Sequence, residues 1–268
     1  MPKTVEQLDH VIIRFAGDSG DGMQLTGDRF TSETAVFGND IATFPDFPAE
    51  IRAPAGSLPG VSGFQVHFAD HDILTPGDAP DVLVAMNPAA LKTNLKDLPK
   101  GGSLIVNTDA FVSRNLDKAG YATNPLEDGS LADYQVHPVA VTAMTLESVK
   151  DIEGITPREG ERAKNMFALG LVCWLYGRPV QGTLDFIADK FSKRPEIAAA
   201  NVAAFNAGFH FGETSETFSV QYEVKPAKLK HGTYRQINGN SALVYGLIAA
   251  SQKSKRQLFL GAYPITPA

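Results

Sequence analysis

The most constraining feature of this 268-residue chain is a strand-like run that passes without a break into a glycine-rich turn. Val11-Ile12-Ile13-Arg14-Phe15-Ala16 is mostly apolar and β-prone, as a strand buried between two layers should be. Gly17-Asp18-Ser19-Gly20-Asp21-Gly22 follows at once, and helix-like spacing then runs from Met23 to Val36. Glycines allow a sharp turn and a close approach of backbone to a ligand, and they leave amide N–H groups exposed at a helix start. The spacing is G-x-x-G-x-G, which is neither the dinucleotide fingerprint nor a P-loop with its Lys and Ser/Thr. Asp18 and Asp21 also place negative charge where a phosphate would sit. The residues alone leave two readings open, a phosphate or cofactor site at Gly17, Gly20 and Gly22, or a tight βα turn.

Composition sets outer bounds. With 43% hydrophobic and 20% charged residues, the chain has the make-up of a globular protein with a sizeable core. A formal charge of -6 gives no reason to expect a nucleic-acid partner. There is no twenty-residue apolar run, and Met1 to Leu8 lacks a signal peptide's apolar core, so no membrane partner and a cytoplasmic location are expected. A single cysteine, Cys173, cannot build a disulfide or a cysteine-ligated iron–sulfur cluster within the chain, and its apolar neighbours predict a buried thiol.

Further along, Asp40 to Phe44 reads as a short strand, followed by a shaped loop, Pro45 to Gly60, with four prolines and two glycines. Within it Arg52 lies beyond a strand end, where in a doubly wound sheet it could meet an anion beside the Gly17 turn. Ser62 to Phe68 alternates as a strand with one wetter face, and Asp81 to Met86 as a buried strand. Asn87-Pro88 has the form of an N-cap followed by proline, at the ligand-facing end of that strand. Ser103 to Asn107 and Tyr134 to Val141 complete at least four apolar strands separated by helices or long loops, which predicts an α/β fold with a mostly parallel sheet. His67, His71 and His137 show no ligand spacing and read as surface or turn residues. Thr156-Pro157-Arg158-Glu159 is a capping box that opens a helical part over 156–212, with a broadly apolar helix from Glu161 to Tyr176. Glu213 to His231 reads as a connector or edge strand, with a domain boundary near 226. Beyond it, Asn238 to Ala250 reads as a capped helix and Gln257 to Tyr263 as a strand, the opening of a second α/β domain that is cut short.

Gly239-Asn240-Ser241-Ala242 followed by Tyr263-Pro264-Ile265-Thr266-Pro267 resembles the start of the alpha subunit's pyrimidine-binding domain in 2-oxoacid:ferredoxin oxidoreductases. The N-terminal part resembles the same family's Rossmann-like gamma domain, fused ahead of alpha as in korA-type subunits of 2-oxoglutarate:ferredoxin oxidoreductases. The matching positions are Gly17, Gly20 and Gly22; Pro48, Glu50 and Arg52; Asn87-Pro88; and Asn165-Met166 with Leu169-Gly170. Departures are Ser19 in place of a glycine, Asp21 where glutamine is common, and Ala53-Pro54-Ala55-Gly56 after Arg52 in place of paired glycines.

The resemblance implies a gamma domain over 1–225 and the beginning of the pyrimidine-binding domain over 226–268. It implies oxidative decarboxylation of a 2-oxoacid, 2-oxoglutarate first, with acyl-CoA formed and ferredoxin reduced. Thiamine diphosphate with Mg2+ and a [4Fe-4S] cluster are then expected mainly on a beta subunit in an alpha2beta2 assembly, with coenzyme A as co-substrate and ferredoxin as partner. Gly17, Gly20, Gly22, Arg52, Asn87 and Tyr263 are the expected cofactor-facing residues. Thr266, held between prolines, is the expected catalytic one. Two other readings fit the glycine turn by itself, a non-catalytic nucleotide- or CoA-binding module and an NAD(P)-binding enzyme.

Overall fold

The computed structural model describes residues 3–50, 53–235 and 237–261. The chain divides into two compact units, Met1–Leu229 and Lys230–Ala268.

The first unit is built on a six-stranded sheet. In chain order its strands are β2 (His10–Asp18), β3 (Asp40–Asp46), β4 (Val61–Ala69), β5 (Val82–Ala85), β6 (Ser103–Asn107) and β7 (Gln135–Val139). In space the order is β3-β4-β2-β5-β6-β7. β2, β5, β6 and β7 pair in parallel, whereas β4 is antiparallel to both β2 and β3. The sheet is therefore mixed, which corrects the mostly parallel expectation. β1 (Thr4–Leu8), which the sequence pattern did not reveal, pairs in parallel with β8 (Val220–Val224) in a separate two-stranded sheet. The edge strand expected near Phe218 to Val224 is thus paired.

Each central strand is buried on both faces, which explains its continuous apolar run. From β2, Val11, Ile13 and Phe15 enter one core with Val82, Val84 and Ile105, while Ala16 enters a second with Leu83, Ala85, Leu104 and Val106. The first core is covered by α1 (Met23–Phe37), α6 (Lys164–Leu175) and α8 (Pro195–Thr214), and the second by α2 (Pro88–Asn94) and α3 (Ser113–Ala119). α4 (Val141–Val149), α5 (Pro157–Arg162) and α7 (Gln181–Lys190) complete the helices of this unit.

The second face of β4 is not wet, contrary to expectation. Gln65 is buried, and its amide donates to the carbonyls of Pro76 and Gly77 at 2.8 and 2.7 Å while its oxygen accepts from Arg14 Nε at 2.9 Å. The loop after β4 folds back over that face, and Gln65 satisfies its backbone. A sequence pattern cannot register such cover.

The apolar helix read from Glu161 to Tyr176 is two helices. Thr156 caps α5 in the expected box with Glu159, and the backbone breaks at Ala163 before α6. Every residue of α6 from Asn165 to Leu175 is buried, consistent with a helix apolar all round. α6 and α8 meet backbone to backbone: a Cβ on Gly170 would lie 2.0 Å from the Phe205 carbonyl oxygen, and one on Gly208 would lie 1.9 Å from that of Phe167.

In the second unit, α9 (Gly239–Ser254) starts at Asn238, whose side chain accepts from Ser241 N at 2.8 Å. Residues 257–261 form no strand, so the strand expected from Gln257 to Tyr263 is absent over its described part; Ala262 and Tyr263 lie outside the described residues. Among the described residues no helix is long and apolar enough to cross a membrane.

Candidate functional site

The C-terminal end of β2 delivers Asp18 to the sheet edge, and four residues later Gly22 starts α1. Gly22 has φ 77°, in the left-handed region, and a Cβ there would stand 2.6 Å from Asn165 Nδ2. Of the three turn glycines it alone has positive φ, so its identity has a conformational and a packing cause. Gly17 is buried within β2, and Gly20 is exposed with no atom within 4 Å of the place where a Cβ would be.

The turn's own groups fill much of its interior. Asp18 N donates to Asp21 Oδ2 at 2.9 Å, Asp21 N to the Asp18 carbonyl at 2.9 Å and Ser19 N to the Gly60 carbonyl at 3.3 Å. The Asp18 carboxylate accepts from Gly56 N at 3.0 and 2.9 Å, which ties the proline-rich loop to the turn. Asp21 Oδ1 pairs with Lys164 Nζ at 2.9 Å, and Glu161 lies 3.6 Å from the same ammonium. Burial raises the Asp18 carboxyl above its ordinary range, helped by the Asp21 charge and opposed by the Gly56 hydrogen bond. Burial pulls Lys164 down, but the charge and hydrogen bond of Asp21, with Glu161 and Asp18 behind them, outweigh it and leave the lysine raised. Lys164 therefore stays charged as the counter-ion of the acidic turn.

A cavity of about 380 Å³ opens over this arrangement. Asp18, Ser19, Gly20 and Asp21 form one wall, Ala53, Ala55 and Gly60 another, and Arg158, Glu161 and Arg162 of α5 with Lys164 a third. Arg158 and Arg162 are four residues apart on α5, so they share a face, and both are exposed. Among the described residues neither has an ion-pair partner. Lys164 offsets the Asp21 charge, and the lining as a whole sets Asp18, Asp21 and Glu161 against Arg158, Arg162 and Lys164; the two exposed guanidiniums are the groups placed to meet a ligand anion from the α5 side.

The expected site residues fall into three groups. Of the glycines only Gly20 lines the cavity. Asn87 is buried behind the turn; its side chain accepts from Ala90 N at 2.8 Å as the cap of α2 and approaches Asp21 Oδ2 at 3.5 Å. Arg52, Tyr263 and Thr266 lie outside the described residues. Arg158, Arg162 and Lys164 were missed as site residues because their spacing reads as the polar face of a capped helix. Only the fold brings that helix to the turn.

Cys173 is fully buried, and burial pushes its thiol well up, which makes it unfit as a ligand or nucleophile. Among the described residues no three His, Cys, Asp or Glu side chains converge on a metal position. The described residues therefore offer no cysteine set for an iron–sulfur cluster, while the α5 wall presents two guanidiniums to an anion.

The comparisons agree with this architecture. The chain is 62% identical over 263 residues to the 2-oxoglutarate oxidoreductase subunit KorA of Mycobacterium tuberculosis, a match covering 98% of this chain and 40% of that protein. The chain thus spans well under half of that relative's length. Its fold is similar to the 2-oxoglutarate:ferredoxin oxidoreductase of Magnetococcus marinus, solved with 2-oxoglutarate, coenzyme A and succinyl-CoA bound, at TM-score 0.67 and 21% identity over 95% of this chain and 43% of that one. It also resembles the gamma subunit of a keto/oxoacid ferredoxin oxidoreductase from Geobacter sulfurreducens, at TM-score 0.51 and 21% identity over 78% of this chain and 99% of that one. Residues 12–211 match the sequence profile of the pyruvate ferredoxin/flavodoxin oxidoreductases, and the chain belongs to that family.

Proposed function

We propose that this chain works as part of a 2-oxoglutarate:ferredoxin oxidoreductase. In that reaction 2-oxoglutarate and coenzyme A yield succinyl-CoA, carbon dioxide and a proton, and two ferredoxins each accept one electron. The observation that carries the reading is the 62% identity, along 98% of this chain, to a 2-oxoglutarate oxidoreductase subunit.

Thiamine diphosphate, when bound, stabilises the carbanion left by decarboxylation. With Mg2+ and a [4Fe-4S] cluster it is assigned mainly to a beta subunit in an alpha2beta2 assembly, on the likeness to the family. Residues 1–225 form the gamma domain, and 226–268 begin the pyrimidine-binding domain.

The contribution of this chain's own residues is to bind and orient anions. Arg158 and Arg162 face a phosphate of coenzyme A across the cavity, with Gly20 allowing close approach. Arg52 is assigned a coenzyme A phosphate on the likeness of its motif to the family's, Gly17, Gly22 and Asn87 hold the turn, and Lys164 offsets the Asp21 charge. On the same likeness, Thr266 is assigned as a donor to the 2-oxoacid carboxylate and Tyr263 as a cofactor contact.

The test is to assemble the full chain with its beta partner and follow ferredoxin reduction with 2-oxoglutarate or pyruvate, with and without coenzyme A. CoA-dependent turnover that prefers 2-oxoglutarate is expected, and none from this chain alone. Turnover of pyruvate in place of 2-oxoglutarate, or turnover without the partner, would overturn the reading.

A further inference from the structure

One peptide unit of the proline-rich loop is held at both of its ends. The Ala55 carbonyl accepts from Lys118 Nζ at 3.1 Å, and the Gly56 N–H of the same amide donates to the Asp18 carboxylate at 3.0 and 2.9 Å. Lys118 stands in the last turn of α3 and Asp18 ends β2, so two elements far apart in the chain grip one amide. A peptide dipole has its positive pole at N–H and its negative pole at C=O. The carboxylate and the ammonium each meet the pole of opposite sign. Gly56 is in the left-handed region at φ 81°, and a Cβ there would stand 3.4 Å from Lys118 Cδ, so the lysine stem runs along the loop.

The loop's other bonds are of a different kind. Ser57 N and Oγ donate to the Pro54 carbonyl at 3.1 and 2.6 Å, and Ala53 N to that of Glu50 at 3.4 Å. These fix the shape of the loop and not its place. Among the described residues, the bonds from Asp18 and Lys118 are the ones that tie 53–57 to the sheet and helices. Ala53 and Ala55 form a wall of the cavity, whereas Lys118 does not line it.

We infer that Lys118 is a positioning residue for this cavity, holding its loop wall in place through the Ala55–Gly56 amide. The inference rests on the reading of the cavity as a coenzyme A phosphate site. Through the same amide Lys118 offsets the Asp18 charge, as Lys164 offsets that of Asp21 directly. A wall already in place spares the ligand the entropy of ordering it. Loss of the ammonium leaves the loop its internal turn but frees its position, so the cost falls on ligand binding and not on the chemical step. Lys118 is exposed, and a charged contact at the surface adds little to the stability of the fold.

The test uses the full chain assembled with its beta partner. Lys118→Met keeps an unbranched stem and removes the charge. It should raise the KM for coenzyme A by about two- to fivefold, with kcat and melting temperature unchanged. Lys118→Arg, which restores a charged donor, should return KM to the wild-type value. Amide hydrogen exchange over 53–57 should quicken in Lys118→Met and recover in Lys118→Arg, a readout that needs no ligand. Arg158→Ala with Arg162→Ala is the control for the coenzyme A reading. Unchanged loop exchange in Lys118→Met, or an unaltered KM there while the arginine variant's KM rises, would overturn the inference alone. An unaltered KM in the arginine variant would remove coenzyme A from the cavity and with it the role assigned to Lys118.

Discussion

Replacing Gly22 by alanine tests whether the glycine turn is built for conformation or for ligand approach. Gly22 sits at φ 77°, and an L-residue held in the left-handed region costs about 1–2 kcal/mol. The new Cβ would also lie 2.6 Å from Nδ2 of buried Asn165, and overpacking of this kind costs roughly 1–3 kcal/mol. Lower entropy of the unfolded chain returns about 0.4–1 kcal/mol. The net loss is then about 1–4.5 kcal/mol. At about 2–4 °C per kcal/mol for a chain of this size, the melting temperature should fall by roughly 2–18 °C. Gly20→Ala is the internal control, since nothing lies within 4 Å of the added carbon and its φ is not positive. It should leave the melting temperature unchanged and, if backbone there approaches a ligand phosphate, raise the KM for coenzyme A in the assembled enzyme. Thermal unfolding by circular dichroism and CoA saturation curves separate the two effects. A Gly22→Ala chain melting within about 1 °C of wild type would refute the strain argument.

Arg158→Ala with Arg162→Ala should raise the KM for coenzyme A by roughly tenfold or more, the scale of one lost charge-assisted hydrogen bond, with melting unchanged; an unaltered KM removes them from the site. Thr266→Val in the assembled enzyme should lower kcat/KM for the 2-oxoacid by roughly ten- to a hundredfold with melting retained. Wild-type kcat/KM would return Thr266 to a structural role. Asp18→Asn keeps an oxygen for Gly56 N–H and removes a carboxyl raised above its ordinary 3.8 by burial. The folded state holds that proton more tightly, so Asp18 contributes stability below pH 3.8 and loses it as pH rises through the folded value. The melting temperature of Asp18→Asn relative to wild type should therefore climb across that window, and a flat difference would contradict it. Gly208→Ala, with its Cβ 1.9 Å from the Phe167 carbonyl oxygen, should separate α6 from α8 and strongly lower the melting temperature.

Features whose cause is local were legible in the chain. The Val11–Ala16 run, the turn at Gly22 and the helix after it follow from apolar content, glycine and period within some thirty residues. Asn87 and Thr156 cap their helices because a short side-chain oxygen reaches an amide two or three residues on. Strand direction was not legible. An alternating pattern reads the same both ways, and β4 runs antiparallel because of the route its connections take. Nor was the burial of Gln65, which depends on carbonyls more than ten residues away. The break at Ala163 interrupts a pattern that is apolar on both sides of it, so period could not find it. Lys164 is separated from Asp21 by more than 140 residues, yet their ion pair makes an acidic turn compatible with an anion site. The residue types of the cavity were decided locally, but which charges neutralise each other and which remain for a ligand was decided by packing. Coulomb energy depends on distance in space, and sequence separation does not supply it.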